Sequence, residues 1–147
     1  MDLPNISIKD ILLQGNYITL DDLKKAEAYV ETHRITLLEY FLSQNIITKP
    51  LLGQAIAESL GESFADLTTH QPTAEQVLKL PEVVARQYVA VVFNESDSEV
   101  IIATATADHN QLQIEVEKIF PNKKITFEYS LPEEIENSFI HYLQPLS

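Results

Sequence analysis

Hydrophobic and polar positions alternate with two different periods along this chain, and the change falls near its middle. In the first part, Leu20, Leu23, Ala26 and Val30 recur every three or four residues, which places them on one face of a helix. Thr19 precedes them and Asp22 follows three residues later. This is a capping-box arrangement, in which the hydroxyl accepts from a free amide and the carboxylate sits at the positive end of the helix. Leu51, Leu52, Ala55, Ile56 and Leu60 form a second stripe. Thr48 is placed to cap that helix, Pro50 falls in its first turn, where the missing amide hydrogen does no harm, and Gly61 is its expected stop.

These stripes belong to an internal repeat. Asn16-Tyr17-Ile18-Thr19 and Asn45-Ile46-Ile47-Thr48 are offset by 29 residues, and the same offset pairs Leu23 with Leu52, Ala26 with Ala55, Leu12-Leu13 with Phe41-Leu42 and Asp10 with Glu39. Each unit reads as a short helix, an Asn-containing turn and a longer capped helix. One such hairpin cannot bury its apolar face alone, but two can pack on each other.

Residues 63–72 form a connector anchored by Phe64 and Leu67. Residues 73–87 read as two short helices broken at Pro81. The period then changes to that of strands. Val89–Phe93 and Val100–Ala105 are nearly continuous in apolar character, with a polar turn over Asn94–Glu99. Asp108 is expected to cap a helix with the face Leu112, Val116, Ile119 and Phe120. Ile125, Phe127 and Tyr129 alternate with Thr126 and Glu128 as a strand with one wet face. Ser130 is expected to cap a last helix with the stripe Ile135, Phe139, Tyr142 and Leu143. The expected fold class is α+β: a helical lobe over 1–62, a connector over 63–72, and over 73–147 a small mixed lobe with a three-stranded sheet covered by helices.

Composition narrows the chemistry. The net charge is −12 from 22 acidic and 10 basic residues, and both halves are acidic, so phosphate backbones are repelled and nucleic acid is not an expected partner. Cysteine is absent, which removes disulfides, thiol catalysis and thiolate-bound zinc. Only three glycines occur, Gly15, Gly53 and Gly61, and none frames a phosphate-binding loop. His33, His70, His109 and His141 are scattered without metal-ligand spacing, a clasp of His141 with Glu134 being the weak exception. Acidic pairs such as Asp21-Asp22 and Glu133-Glu134 read as helix-start charges. No catalytic residue, metal or cofactor is expected. The apolar run Val89-Ala90-Val91-Val92-Phe93 is far short of the about twenty residues that cross a bilayer. The start, Met1-Asp2-Leu3-Pro4-Asn5, has no signal-peptide character. The expected location is the cytoplasm, with any membrane contact made through a partner. Arg34 and Arg86 are the only arginines. Their plain role is an ion pair at helical spacing, with Glu31 and Glu82 respectively; their alternative role is an anion contact.

The repeated helical unit, then Leu60-Gly61-Glu62-Ser63-Phe64-Ala65-Asp66-Leu67, then Leu80-Pro81-Glu82-Val83-Val84-Ala85-Arg86-Gln87-Tyr88 and a following strand, resembles the N-terminal (MshEN, or type II secretion E N-terminal) domain of secretion and pilus-assembly ATPases. Val100–Ala105 and Leu131-Pro132-Glu133-Glu134-Ile135 fit it as well, and the resemblance runs over about residues 6–143. It implies a non-catalytic domain that couples an ATPase, in cis or in trans, to a platform protein at the inner membrane. It also implies a rival role, because some members bind cyclic di-GMP on two tandem motifs beginning Arg-Leu-Gly. Here the aligned triplets are Ser7-Ile8-Lys9 and Thr36-Leu37-Leu38, and the glutamine that closes each motif is replaced by Val30 and Ser59. Asn16 and Asn45 stand for the turn glycine, and Asn tolerates the left-handed backbone. If that ligand binds, the resemblance points to Ile8, Leu12, Leu13, Arg34, Leu37, Phe41 and Leu42. Losing two guanidinium contacts, each worth about 1.5–3 kcal/mol, weakens such binding by about a hundredfold or more.

Overall fold

The computed structural model describes residues 7–143. It holds eight α-helices, one 3-10 helix and a three-stranded mixed sheet. The chain divides into two compact units, which among the described residues are 7–61 and 62–143.

The first unit is helical: α1 (Ile8–Gln14), α2 (Leu20–Thr32), α3 (Leu37–Ser43) and α4 (Lys49–Leu60). Thr19 and Thr36 close capping boxes with Asp22 and Glu39, and Thr48 accepts from the Leu51 amide. The turns after α1 and α3 are nearly superimposable in their bonding. Tyr17 N–H donates to Leu12 O at 2.9 Å and Ile46 N–H to Phe41 O at 2.9 Å. Asn16 and Asn45 take the left-handed backbone at φ 60° and 55°. Gly61 ends α4 in the same region at φ 72°. Packing interleaves the two hairpins, α1 against α4 and α2 against α3. Leu12, Phe41, Leu52 and Ile56 are wholly buried between them. Two of the expected core positions are not: Leu20 is 59% and Leu51 42% exposed. Each occupies the first turn of its helix.

The second unit contains α5 (Ala74–Leu78), α6 (Glu82–Tyr88), β1 (Ala90–Glu95), β2 (Glu99–Thr104), α7 (Asn110–Ile119), β3 (Lys124–Tyr129), α8 (Pro132–Asn137) and the 3-10 helix Ser138–Tyr142. The sheet order is β1-β2-β3. β1 and β2 form an antiparallel hairpin with a bulge at Phe93, and β3 returns parallel to β2 through α7. Residues 63–65 lie beside the end of β3: Tyr129 N–H donates to Ser63 O and Ala65 N–H donates to Tyr129 O, both at 2.8 Å. Val91, Val92, Val100, Ile102, Leu112, Val116 and Ile135 fill the core.

Three local expectations are corrected here. The N-cap of α7 is His109; Asp108 lies one residue earlier, and its carboxylate accepts from Asn110 N–H at 3.0 Å. The N-cap of α8 is Leu131, because Ser130, just past β3, is still tied to β2 by its N–H donating to Thr104 O at 3.2 Å, and its hydroxyl is buried. Leu143 is 73% exposed, beyond the helical stripe that buries Ile135 and Phe139. β3 also lacks a clean wet face. Residues 125–128 are all half-buried, since Thr126 turns its hydroxyl to the Glu99 carboxylate at 2.9 Å.

Candidate functional site

The seven positions singled out for a ligand all fall in the helical unit. Ile8, Leu12 and Leu13 lie on α1; Leu37, Phe41 and Leu42 lie on α3; Arg34 lies in the connection before α3. Leu12 and Phe41 are 0% exposed, so their side chains are core and offer no surface. Ile8, Leu13, Leu37 and Leu42 are half-buried, and Arg34 is exposed. No ion pair joins Arg34 to Glu31 among the described residues; the plain role expected of Arg34 is not realised. Arg86 does take its plain role, its Nε donating to Glu82 at 2.7 Å while its guanidinium stands 5.2 Å from the Phe139 ring.

An aromatic group ends at His33, the residue before Arg34 in the chain. Tyr29 and His33 stack with ring centroids 3.7 Å apart and planes 3° from parallel, and Tyr40 tilts onto Tyr29 at 5.0 Å. Thr32 and His33 both bond back to Tyr29 O, which fixes the end of α2. On the α1–α4 side, burial first and then the Glu58 carboxylate push the Tyr17 phenol up to about 12, so it is a neutral donor at any ordinary pH.

In the second unit the charged groups serve structure. Lys79 at the end of α5 and Lys123 after α7 each bond one oxygen of Glu95 on β1. The Lys123 and Lys79 ammoniums hold the Glu95 carboxyl below the usual carboxylate range. A shallow hollow of about 410 Å³ opens beside this trio over Ile119, Phe120 and Pro121. Glu134 and His141 line a second hollow of about 230 Å³ with Leu67, Gln71 and Asn137. Among the described residues no group of three or more His, Asp or Glu side chains is placed to hold a metal ion, and no helix is long and apolar enough to cross a membrane.

Sequence reading missed a polar contact at the start of the second unit. Glu62 Oε1 lies 3.1 Å from His109 Nε2, with side-chain exposures of 15% and 21%. The other carboxylate oxygen, Glu62 Oε2, is buried with no hydrogen-bond partner, as is the Tyr129 hydroxyl. Burial raises the Glu62 pKa, and the positive charge of His109 opposes that. Burial and the nearby Glu62 charge push Tyr129 up to about 12. Glu62 and His109 are 47 residues apart in the chain, which leaves no local spacing signal; only the string Leu60-Gly61-Glu62 marked the place.

Exposed apolar side chains are the other feature of this unit. Leu78 on α5, Val83 on α6, and Ile140 and Leu143 at the 3-10 helix are 45%, 75%, 57% and 73% exposed. The Tyr142 hydroxyl lies 2.7 Å from both Val77 O and Leu80 O and ties the 3-10 helix to the end of α5.

The described residues thus form a doubled helical hairpin and a small α/β unit with a three-stranded mixed sheet. Residues 60–146 match the MshEN domain family model, which is more than half of the chain, and the chain belongs to that family. The solved structure of MshE with cdg is similar over 94% of this chain and 99% of that chain, at 21% identity and a TM-score of 0.54. A structure of the N-terminal domain of XpsE aligns over 91% of this chain and 92% of that chain, at 18% identity and a TM-score of 0.49. No curated protein matches the chain.

Proposed function

We propose that this chain is a non-catalytic interaction and regulatory domain of the kind found at the N-terminus of type II secretion and type IV pilus-assembly ATPases. It docks an ATPase domain, in cis or in trans, to a platform protein at the cytoplasmic face of the inner membrane. The membership in the MshEN family carries this reading. Two features of the molecule support it. Its charged side chains in the second unit are engaged in structural pairs such as Lys79–Glu95–Lys123 and Arg86–Glu82. Its apolar side chains Val83 on α6 and Leu143 just after the 3-10 helix stand in solvent, where a partner gains by covering them. The net charge of −12 favours a basic partner surface and speeds encounter with it. Isothermal titration of the chain with the cytoplasmic domain of its cognate platform protein tests the reading. Saturable binding that weakens with salt is expected; no binding at about 100 μM of either protein refutes it.

A second reading is cyclic di-GMP sensing on the helical unit. It draws on the fold likeness to MshE with cdg and on the stacked Tyr29–His33 pair, which exposed Arg34 follows in the chain. Base stacking on that pair with Arg34 at a phosphate is the chemistry it uses. Calorimetry with cyclic di-GMP at low salt decides it. Affinity of about 1 μM or tighter, lost in Arg34→Gln, establishes this reading, and absence of heat retires it.

A further inference from the structure

We propose that Glu62 and His109 form a proton-operated clasp that holds the segment joining the two units against the end of the sheet. Glu62 is the first residue after Gly61, whose left-handed backbone ends α4. Among the described residues, those that follow it are bonded to β3 through two backbone bonds, both on Tyr129. The clasp adds a side-chain tie at the same place.

The geometry fixes which nitrogen titrates. His109 Nε2 lies 3.1 Å from Glu62 Oε1 and 3.0 Å from Thr106 O. Both neighbours only accept, so Nε2 keeps its hydrogen in either charge state and donates to them. Nδ1 is therefore the atom that gains or loses the proton. The ring is steadied by Phe127, whose centroid is 4.5 Å away. With Nδ1 protonated, an imidazolium faces a carboxylate in a site sheltered from water. With Nδ1 bare, a neutral donor faces a carboxylate whose second oxygen is buried without a partner, and that carboxylate gains by swinging out to water.

The other groups around the pair do not duplicate the switch. Tyr129, on β3, keeps its proton because burial and the Glu62 charge push it up to about 12. Asp108, next to the ring, is spent on Asn110 N–H. His109 is the positive charge acting on Glu62. Of the two partners, the histidine is the one that changes between a cationic and a neutral donor, so the clasp is operated at Nδ1. Burial raises the Glu62 pKa, so its ionisation without a counter-charge works against the closed segment. The clasp therefore loosens as pH rises.

Amide exchange followed by NMR on the whole chain tests this. Protection factors, corrected for intrinsic exchange, are read at Ala65 and Tyr129, whose N–H groups make the two backbone bonds. Between about pH 6 and pH 8 they should fall about fivefold to tenfold in the native protein and stay flat in Glu62→Gln and in His109→Gln. Protection at Ile102 and Val116 in the core is the control and should not differ between pH values. A native protein without that fall, or a Glu62→Gln variant with the same fall, overturns the proposal. If Glu62→Gln does not fold, His109→Gln carries the same comparison.

Discussion

Replacing the two turn asparagines is the sharpest probe of the helical unit. Asn16 and Asn45 sit at φ 60° and 55°, where a Cβ crowds the following carbonyl. Asparagine tolerates this region better than other residues with a side chain, and alanine has no such compensation. Each Asn→Ala change should therefore cost about 1 kcal/mol, within the 1–2 kcal/mol penalty of a left-handed residue. Asn→Gly relieves the crowding but frees the unfolded chain, so it should land within about 0.5 kcal/mol of the native protein. With a urea slope of about 2 kcal/mol per molar, each alanine moves the midpoint down by about 0.5 M. The two turns share their bonding, with Asn16 N–H and Asn45 N–H donating to Leu13 O and Leu42 O at 3.1 and 3.2 Å. The two single variants should therefore match, and the double variant should lose about 1 M if the sites are independent. Urea titration followed by far-UV circular dichroism at 222 nm measures this, with the ~1 kcal/mol scale of the turn penalty setting the needed precision. Alanine tolerated as well as asparagine at both sites, with glycine worse than either, would refute a left-handed turn. Unequal costs would show that the two hairpins are not energetic equivalents.

Phe41→Ala removes a wholly buried ring from the helical unit and should cost about 3–5 kcal/mol; a loss under about 1 kcal/mol in the same titration contradicts its core role. Tyr129→Phe and Ser130→Ala delete buried hydroxyls that have no partner. Each should be neutral or stabilising by up to about 1 kcal/mol, and a clear drop in melting temperature would show that the hydroxyl is bonded after all. The lysines hold Glu95 below the usual carboxylate range, so its stabilising effect is present above the ordinary carboxylate pKa and lost as pH falls through the lowered one. Thermal melts below about pH 4.5 should be less pH-dependent in Glu95→Gln than in the native protein; parallel slopes would mean the trio contributes nothing.

The repeat is legible in the sequence because three independent signals recur in one register. A threonine cap, a left-handed asparagine and an apolar spacing all return after 29 residues in the sequence. Each constrains the backbone differently, so their agreement leaves little room for another fold. Single-residue assignments fared worse for a physical reason. Asp108 and Ser130 are good capping residues by type, yet the caps fell on His109 and Leu131. A cap depends on where the strand before it releases the chain, and Thr104 O still holds Ser130. Leu20, Leu51 and Leu143 fit helical stripes but stay exposed. Spacing tells which face a residue occupies, while burial also depends on what packs there: Leu20 and Leu51 lie in the first turn of their helices, and Leu143 follows the last 3-10 turn.

The candidate site was less legible because its apolar half has two equally good uses. Leu12 and Phe41 suit a ligand surface and a helical core alike, and only packing distinguishes them; both went to the core. Cations are more informative in so acidic a chain. Lys79 and Lys123 are committed to Glu95 and Arg86 to Glu82, whereas Arg34 has no ion pair among the described residues and follows an aromatic stack in the chain. The choice between partner docking and dinucleotide sensing thus narrows to one guanidinium. A single Arg supplies at most about half of the charged contacts that two supply, at about 1.5–3 kcal/mol each. The proposed docking needs no such group, since covering apolar side chains like Val83 and Leu143 would supply its affinity. Docking is therefore the function we propose, and sensing is the reading that rests on Arg34 alone.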